Sequence, residues 1–401
     1  MNRVDIDIVL TLYKRPDCLR KQINALKEQT FKPRNIYLYQ DGIDSYYQIK
    51  LKEEILKEFS DVRVSESNGG VWKRFEYARE TVRSPYVCIF DDDTIPGKRW
   101  LENCYLQMQK KEGIYGTNGI LLSNSNEYPL NNKDERIGWV NPNQNTVMVD
   151  FVGHSWFLKT EWLDYMLTKS QKLQKKYKYV GEDMYLSYQC YLHNIGTYVP
   201  PHPYNIPELW GSIPSSAKLY GSMKVAISSK SINYKKMNEV LIELREYGWK
   251  IICERNPDYY LQTLTLLKQN RHNKEEQILS KLYTVCCGRK DIYLYGAGEY
   301  GRIFYEYLKR QQISIKAFVV SEIKKEERKC YYNIPIIGIN ELLEKREKGI
   351  VILALNEFFH NEIRQSLSLT SDFDIFPFEK DNVTYEELIE ALKNYNISKN
   401  I

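Results

Sequence analysis

No stretch of this 401-residue chain is apolar for long: its longest apolar run, Ile6–Tyr13, is broken by Asp7 and Thr11. A membrane span needs ~18 or more apolar residues, so no transmembrane helix is expected. The eight cysteines include no C-x-x-C pair, which argues against a disulfide framework or a structural zinc site. They are expected to be reduced and mostly buried. The N-terminus lacks the apolar segment and small-residue cleavage site of a signal peptide, and the expectation is a cytoplasmic protein. A strong excess of one charge sign is missing too. Lys+Arg number 57 against 52 Asp+Glu, a net +5, without the dense basic stripe of nucleic-acid binders, so nucleic acid is not an expected partner.

At 43% hydrophobic and 27% charged residues the chain suits packed globular domains. Its length suggests two or three of them at ~150 residues each. Short β-rich runs alternate with amphipathic helices from the start: strands at Val4–Leu12, Asn35–Gln40, Val62–Ser65 and Tyr86–Phe90, helices at about Asp17–Glu28, Tyr47–Phe59 and Trp72–Val82. This alternation predicts a parallel sheet. Residues 119–150, rich in Ser, Asn and Pro, read as a long surface loop, followed by a strand at Val147–Leu158, a helix at Met184–Leu192 and a strand at Gly196–Val199. The expected domains are 1–215, a helical connector over 216–286, and a second, Rossmann-like α/β domain over 287–401. The last opens with Gly296-x-Gly298-x-x-Gly301 between a strand and a helix, with Glu322 placed 21 residues further on.

The most informative stretch is Val87-Cys-Ile-Phe-Asp-Asp-Asp-Thr-Ile-Pro96. An apolar strand delivers three consecutive carboxylates at its C-terminal edge, where open α/β sheets bind ligands. Like charges so close repel unless a cation or hydrogen-bond donors offset them, and Mg²⁺ or Mn²⁺ bound by one or two carboxylates would keep open positions for diphosphate oxygens. The plainer alternative is an acidic turn capping a helix near Pro96–Leu101.

Residues 4–205 resemble the GT-A fold of family-2 glycosyltransferases. Asp91-Asp92-Asp93 resembles that family's metal-binding D-x-D, which implies Asp91 and Asp93 as its two acids, with Asp92 beside the donor. Val9–Pro16, containing Thr11, Tyr13 and Arg15, resembles the element that opens the nucleotide pocket; Tyr39–Asp44, with Asp41, resembles the acid element that contacts the base. Asn68-Gly-Gly-Val-Trp-Lys-Arg74 resembles the Asn-x-Gly loop near the donor, which brings in Asn68 and Gly70 and leaves Arg74 or Lys73 to face phosphate. Gly181-Glu182-Asp183 resembles the Glu-Asp element whose Asp is the catalytic base, a role that capping of the helix start would imitate. His202, between prolines after the last strand, is expected as a further metal or diphosphate ligand, with His193 and His154 as rivals. His154, Trp156 and Glu182 are expected near the acceptor, and Trp139, Trp156 and Tyr185 are candidates to stack on sugars.

The resemblance implies an inverting, metal-dependent transferase that moves a sugar from a UDP-linked donor to a glycan or lipid-linked acceptor in bacterial-type surface polysaccharide synthesis. Lys169–Lys178 holds five lysines, a patch that would draw the protein to the inner face of an anionic membrane. The C-terminal module is expected to serve architecture or homo-oligomer formation rather than ligand binding. The rival readings are an NAD(P)-dependent sugar oxidoreductase centred on Gly296–Gly301, and a non-catalytic transferase-like scaffold.

Overall fold

The structure, a computed structural model, describes residues 4–42, 50–129, 134–138, 141–212, 231–323, 330–344, 349–368, 373–377 and 385–399. The chain divides into two compact units, Met1–Arg271 and His272–Ile401. Trp139 and the expected helix start at Tyr47 lie outside the described residues.

The first unit is built on a sheet whose strands are β1 (Ile6–Leu12), β2 (Asn35–Gln40), β3 (Asp61–Val64), β4 (Tyr86–Phe90), β5 (Gly113–Leu121), β6 (Glu135–Gly138), β7 (Val147–Met148), β8 (Phe151–Lys159) and β9 (Gly196–Val199). Their order is β3-β2-β1-β4-β8-β5-β9-β7, with β6 paired to β5. β1 lies parallel to both β2 and β4, and β2 parallel to β3. Their C-terminal ends therefore share one edge. β1 is apolar and buried on both faces, as a central parallel strand must be. Helix α1 (Leu19–Lys27) lays Leu19, Ile23 and Leu26 into this core. β8 runs against β4, with Phe90 opposite Ser155, and this reversal returns the chain to the edge where β4 ends. The arrangement is a GT-A domain.

The expected loop over 119–150 is partly strand. β5 is buried along its whole length and lies between β8 and β9. Its glycines hid it from a reading of β propensity, yet they permit the packing: a Cβ at Gly119 would collide with Val199.

Beyond residue 215 the first unit continues through helices Ser231–Glu246 and Ile252–Arg255 and into Pro257–Cys286. Asp150 fastens this part to the sheet. Its Oδ2 accepts from the Leu122 amide at 2.8 Å and its Oδ1 from the Ile252 amide at 2.7 Å. Asp150→Ala strands two buried donors, and we expect a loss of ~1–3 kcal/mol for each, read as a lowered midpoint in urea denaturation.

In the second unit the strands are β10 (Ile292–Tyr295), β11 (Ala317–Val320), β12 (Cys330–Tyr331), β13 (Ile334–Gly338), β14 (Ile350–Leu353) and β15 (Asp374–Phe376), in the order β12-β13-β11-β10-β14-β15. All pair in parallel except β12, which is the doubly wound pattern. Gly296 follows β10 at φ +121°, a conformation that side chains rarely adopt. The next helix, Glu299–Arg310, buries Ile303, Phe304, Tyr307 and Leu308. Glu322 is exposed. Among the described residues of the whole chain, no helix is long and apolar enough to cross a membrane.

Candidate functional site

A cavity of about 590 Å³ opens where β1, β2 and β4 end, within the ~300–1,000 Å³ typical of small-molecule sites. Thr11, Tyr13, Arg15, Asp41, Asn68, Gly70, Arg74, Asp91, Asp92, Asp93, His154, Glu182 and Asp183 all line it. The folding of six separate segments thus brings together most of the residues expected from the sequence.

The segments at the ends of β1 and β2 and the loop at Asn68–Gly70 hold one another. Asp41, at the end of β2, accepts from the Gly69 amide at 2.7 Å and the Gly70 amide at 3.2 Å. Asn68 donates to the Tyr13 hydroxyl at 3.0 Å and accepts from the Gly70 amide at 2.9 Å. Gly70 sits at φ +85°, and a Cβ there would strike the Lys178 carbonyl, so only glycine closes this turn without strain. Thr11 donates to the Phe90 carbonyl at 2.9 Å and fixes the end of β1 to that of β4.

The three acids do not share one environment. Asp92 points inward: its Oδ2 accepts from the Tyr13 amide at 3.1 Å, and its Oδ1 pairs with Arg15. Burial pushes its carboxyl up to about 7, with Arg15 pulling the other way. Asp93 pairs with Arg15 at 2.5 Å. Asp91 pairs with Arg74, whose other end holds Glu182 at 2.6 Å. Two arginines therefore offset the crowded carboxylates. Arg74 lies over the Trp156 ring, 4.5 Å from its centroid, and is itself buried. The sequence left Arg74 and Lys73 open as phosphate contacts; Lys73 pairs with Glu76 and Arg74 bridges two carboxylates.

Asp91, Asp93 and His154 each offer one ligand atom, all within 4.8 Å of one another. His154 Nδ1 lies 4.0 Å from Asp93 Oδ1. Its backbone, at φ +66°, accepts from the Asp91 amide at 2.9 Å and the Thr94 hydroxyl at 3.1 Å. Two carboxylates and an imidazole on partly exposed positions suit a hard or borderline divalent cation such as Mn²⁺ or Mg²⁺. The donor set fits.

Two expectations need correction. His202 is fully buried away from the acids, with both ring nitrogens engaged: Nδ1 with the Pro200 carbonyl at 2.8 Å, and Nε2 accepting from the Gly211 amide at 3.1 Å. Burial lowers its pKa to about 4, so it stays neutral and structural. His154, brought to the acids by β8, lies where His202 was expected. Trp156 is also buried; its Nε1 donates to the Val152 carbonyl at 2.9 Å and its ring meets Phe75 edge-on, so it supports Arg74 from below and does not line the cavity. His193 stacks on Tyr165, and Tyr185 packs against Trp72 in the core.

Glu182 and Asp183 open helix α7 (Glu182–Leu192). Gly181 precedes them at φ +86°, and a Cβ there would lie 2.7 Å from Val240. Asp183 Oδ1 accepts only from the next amide, Met184, at 2.8 Å; the helix has no side-chain cap. Asp183 thus satisfies one free amide of the helix's first turn, the bond that the capping alternative requires, while its carboxyl also lines the cavity. Burial raises both carboxyls above the ordinary range, with Asp183 adding to the shift at Glu182 and Arg74 opposing it at each.

The sequence reading missed the cavity wall formed by Tyr179, Val180, Ile232, Asn233, Lys236 and Met237. Spacing within helix Ser231–Glu246 shows one coherent face, but nothing local tells where that face docks.

Residues 7–167 match the sequence model of the family described as glycosyl transferase family 2. The N-terminal domain is a family-2-like glycosyltransferase. Among solved structures, the crystal structure of S. aureus TarS residues 1–349 is similar at 14% identity, covering 61% of this chain and 72% of that one with a TM-score of 0.32. No curated protein matches the chain. The family-2-like match ends before α7, so both Asp183 and the wall from Ser231–Glu246 lie outside it.

Proposed function

We propose that this protein is an inverting, cation-dependent glycosyltransferase that moves a sugar from a UDP-linked donor to a hydroxyl of a glycan or lipid-linked acceptor. The reading places it in bacterial-type surface polysaccharide synthesis. The observation that carries it is the convergence in one cavity of Asp91, Asp93 and His154 with a separate carboxylate, Asp183.

Asp91, Asp93 and His154 would hold the cation, which when bound supplies positive charge against the negative charge growing on the leaving diphosphate. Asp41, Asn68 and Gly70 form the wall for the nucleoside, and the tight turn at Gly70 lets backbone approach it. Arg15 steadies Asp92 and Asp93 so that their carboxylates are presented at one edge. Asp183 takes the proton from the acceptor hydroxyl as that oxygen attacks the anomeric carbon from the face opposite the diphosphate. One base and one displacement invert the configuration. Glu182, held by Arg74, is the anchor that fixes the start of α7 and so aims Asp183 into the cavity.

The lysine patch supports contact with an anionic membrane surface only in part. All five lysines are exposed, and one of them, Lys176, bonds Glu243 at 2.7 Å.

Thermal shift with UDP-, GDP- and dTDP-sugars tests the donor. A ligand that binds only the folded state raises the melting temperature by mass action. UDP-sugars with Mn²⁺ should raise it, and without Mn²⁺ much less. An equal response to all three bases would remove the UDP assignment; no response to any of them would remove the transferase reading.

A further inference from the structure

Helix Ser231–Glu246 carries one face with two uses. Its later positions, Val240, Leu241 and Leu244, are buried against Trp72, Tyr177, Val180, Met184 and Tyr188. Glu243 adds bonds to Lys176 at 2.7 Å and to the Tyr177 hydroxyl at 3.0 Å, and Asn238 accepts from the Tyr128 amide at 2.8 Å. Toward its N-terminus the same helix lines the cavity with Ile232, Asn233, Lys236 and Met237, of which Met237 still packs against that core. Its rigid base fixes where those four side chains stand.

Four cations line the cavity: Lys14, Arg15, Arg74 and Lys236. Arg15 and Arg74 are committed to carboxylates. The Lys14 ammonium lies over the Tyr13 ring, 5.0 Å from its centroid. Lys236 makes no ion pair with any other described residue, although six carboxylates line the same cavity. Ile232, one turn before it, and Tyr179, which lines the same cavity, have exposed side chains, surfaces suited to a sugar face.

We infer that Lys236 is a specificity-determining residue that receives an anionic group, a phosphate or a carboxylate, borne by the acceptor near the hydroxyl that attacks. This rests on the transferase reading above. The acceptor's sugar lies against Tyr179 and Ile232, its hydroxyl faces Asp183, and its anion meets the Lys236 ammonium.

The test uses the full chain loaded with Mn²⁺ and UDP, so that the diphosphate site is filled, and calorimetric binding of glucose 6-phosphate, glucuronate and glucose. The wild type should bind at least one of the two anions about tenfold more tightly than glucose, the size of one charge-assisted hydrogen bond. Which anion gains more separates phosphate from carboxylate. Lys236→Ala should erase the difference and Lys236→Arg should keep it, with melting temperatures confirming that both fold. Equal binding of all three sugars, no binding of either anion, or an anion preference that survives in Lys236→Ala overturns the inference. A loss in Lys236→Ala confined to UDP-glucuronate against UDP-glucose would assign Lys236 to the donor and overturn it as well. Failure of UDP and Mn²⁺ to bind at the outset counts instead against the transferase reading.

Discussion

Asp183→Asn should lower sugar transfer by ~10²–10⁴-fold, the usual contribution of a general base, while UDP-sugar affinity measured by calorimetry stays near that of the wild type. Asparagine preserves the side-chain oxygen that accepts from the Met184 amide, so the start of α7 keeps its local bond. It also removes an ionisable group that burial disfavours in its charged form, so the melting temperature should hold or rise. The pH profile gives a second readout. Transfer requires the ionised carboxylate, and burial holds Asp183 above the ordinary carboxyl value of ~4. The wild-type rate should therefore rise with pH through that raised value and then level off, and the variant should lose this limb. Near-normal transfer by Asp183→Asn would end the assignment and direct attention to Glu182.

Chelation should have the larger effect. With EDTA present we expect UDP-sugar hydrolysis to vanish, and Mn²⁺ in excess to restore it; full activity in chelator would dismiss the metal site. Asp93→Ala should weaken donor binding as well as rate, because it removes one of three ligand atoms and one partner of Arg15. His154→Ala should do the same through the imidazole, whereas His202→Ala should leave cation affinity unchanged in the folded fraction. That contrast separates the histidine beside the acids from the buried one.

Much of the cavity lining at the ends of β1, β2 and β4 was legible in the sequence because it is written in local terms. β1, β2 and β4 are short apolar runs, each followed by its polar or acidic residues, so strand ends could be located and the carboxylates placed on them. Asn35–Gln40, Tyr86–Phe90 and Gly196–Val199 have the observed bounds. The antiparallel return of β8 was not legible. It sets His154 beside Asp91 through pairings between residues some 65 positions apart, such as Phe90 with Ser155. His202 misled for a related reason: two flanking prolines suggest a presented imidazole, but the Pro200 carbonyl and the Gly211 amide are each in place to engage it. β5 was hidden because glycine has low β propensity, whatever the space between its neighbours demands. In the helix Ser231–Glu246, periodicity marks a face without naming what that face meets.

The contact between Gly181 and Val240 joins the segment that bears the proposed base to a helix reached only some 60 residues later. Positions 240–244 of that helix act as a fixed footing, while positions 232–236 line the cavity before it. Substitutions at the latter can accumulate without moving the former. Under the acceptor reading proposed above, a preference set at positions 232–236 changes without disturbing the residues at the ends of β1, β2 and β4. Grafting residues 231–246 between related chains would transplant a preference only if the glycine at 181 travelled with them.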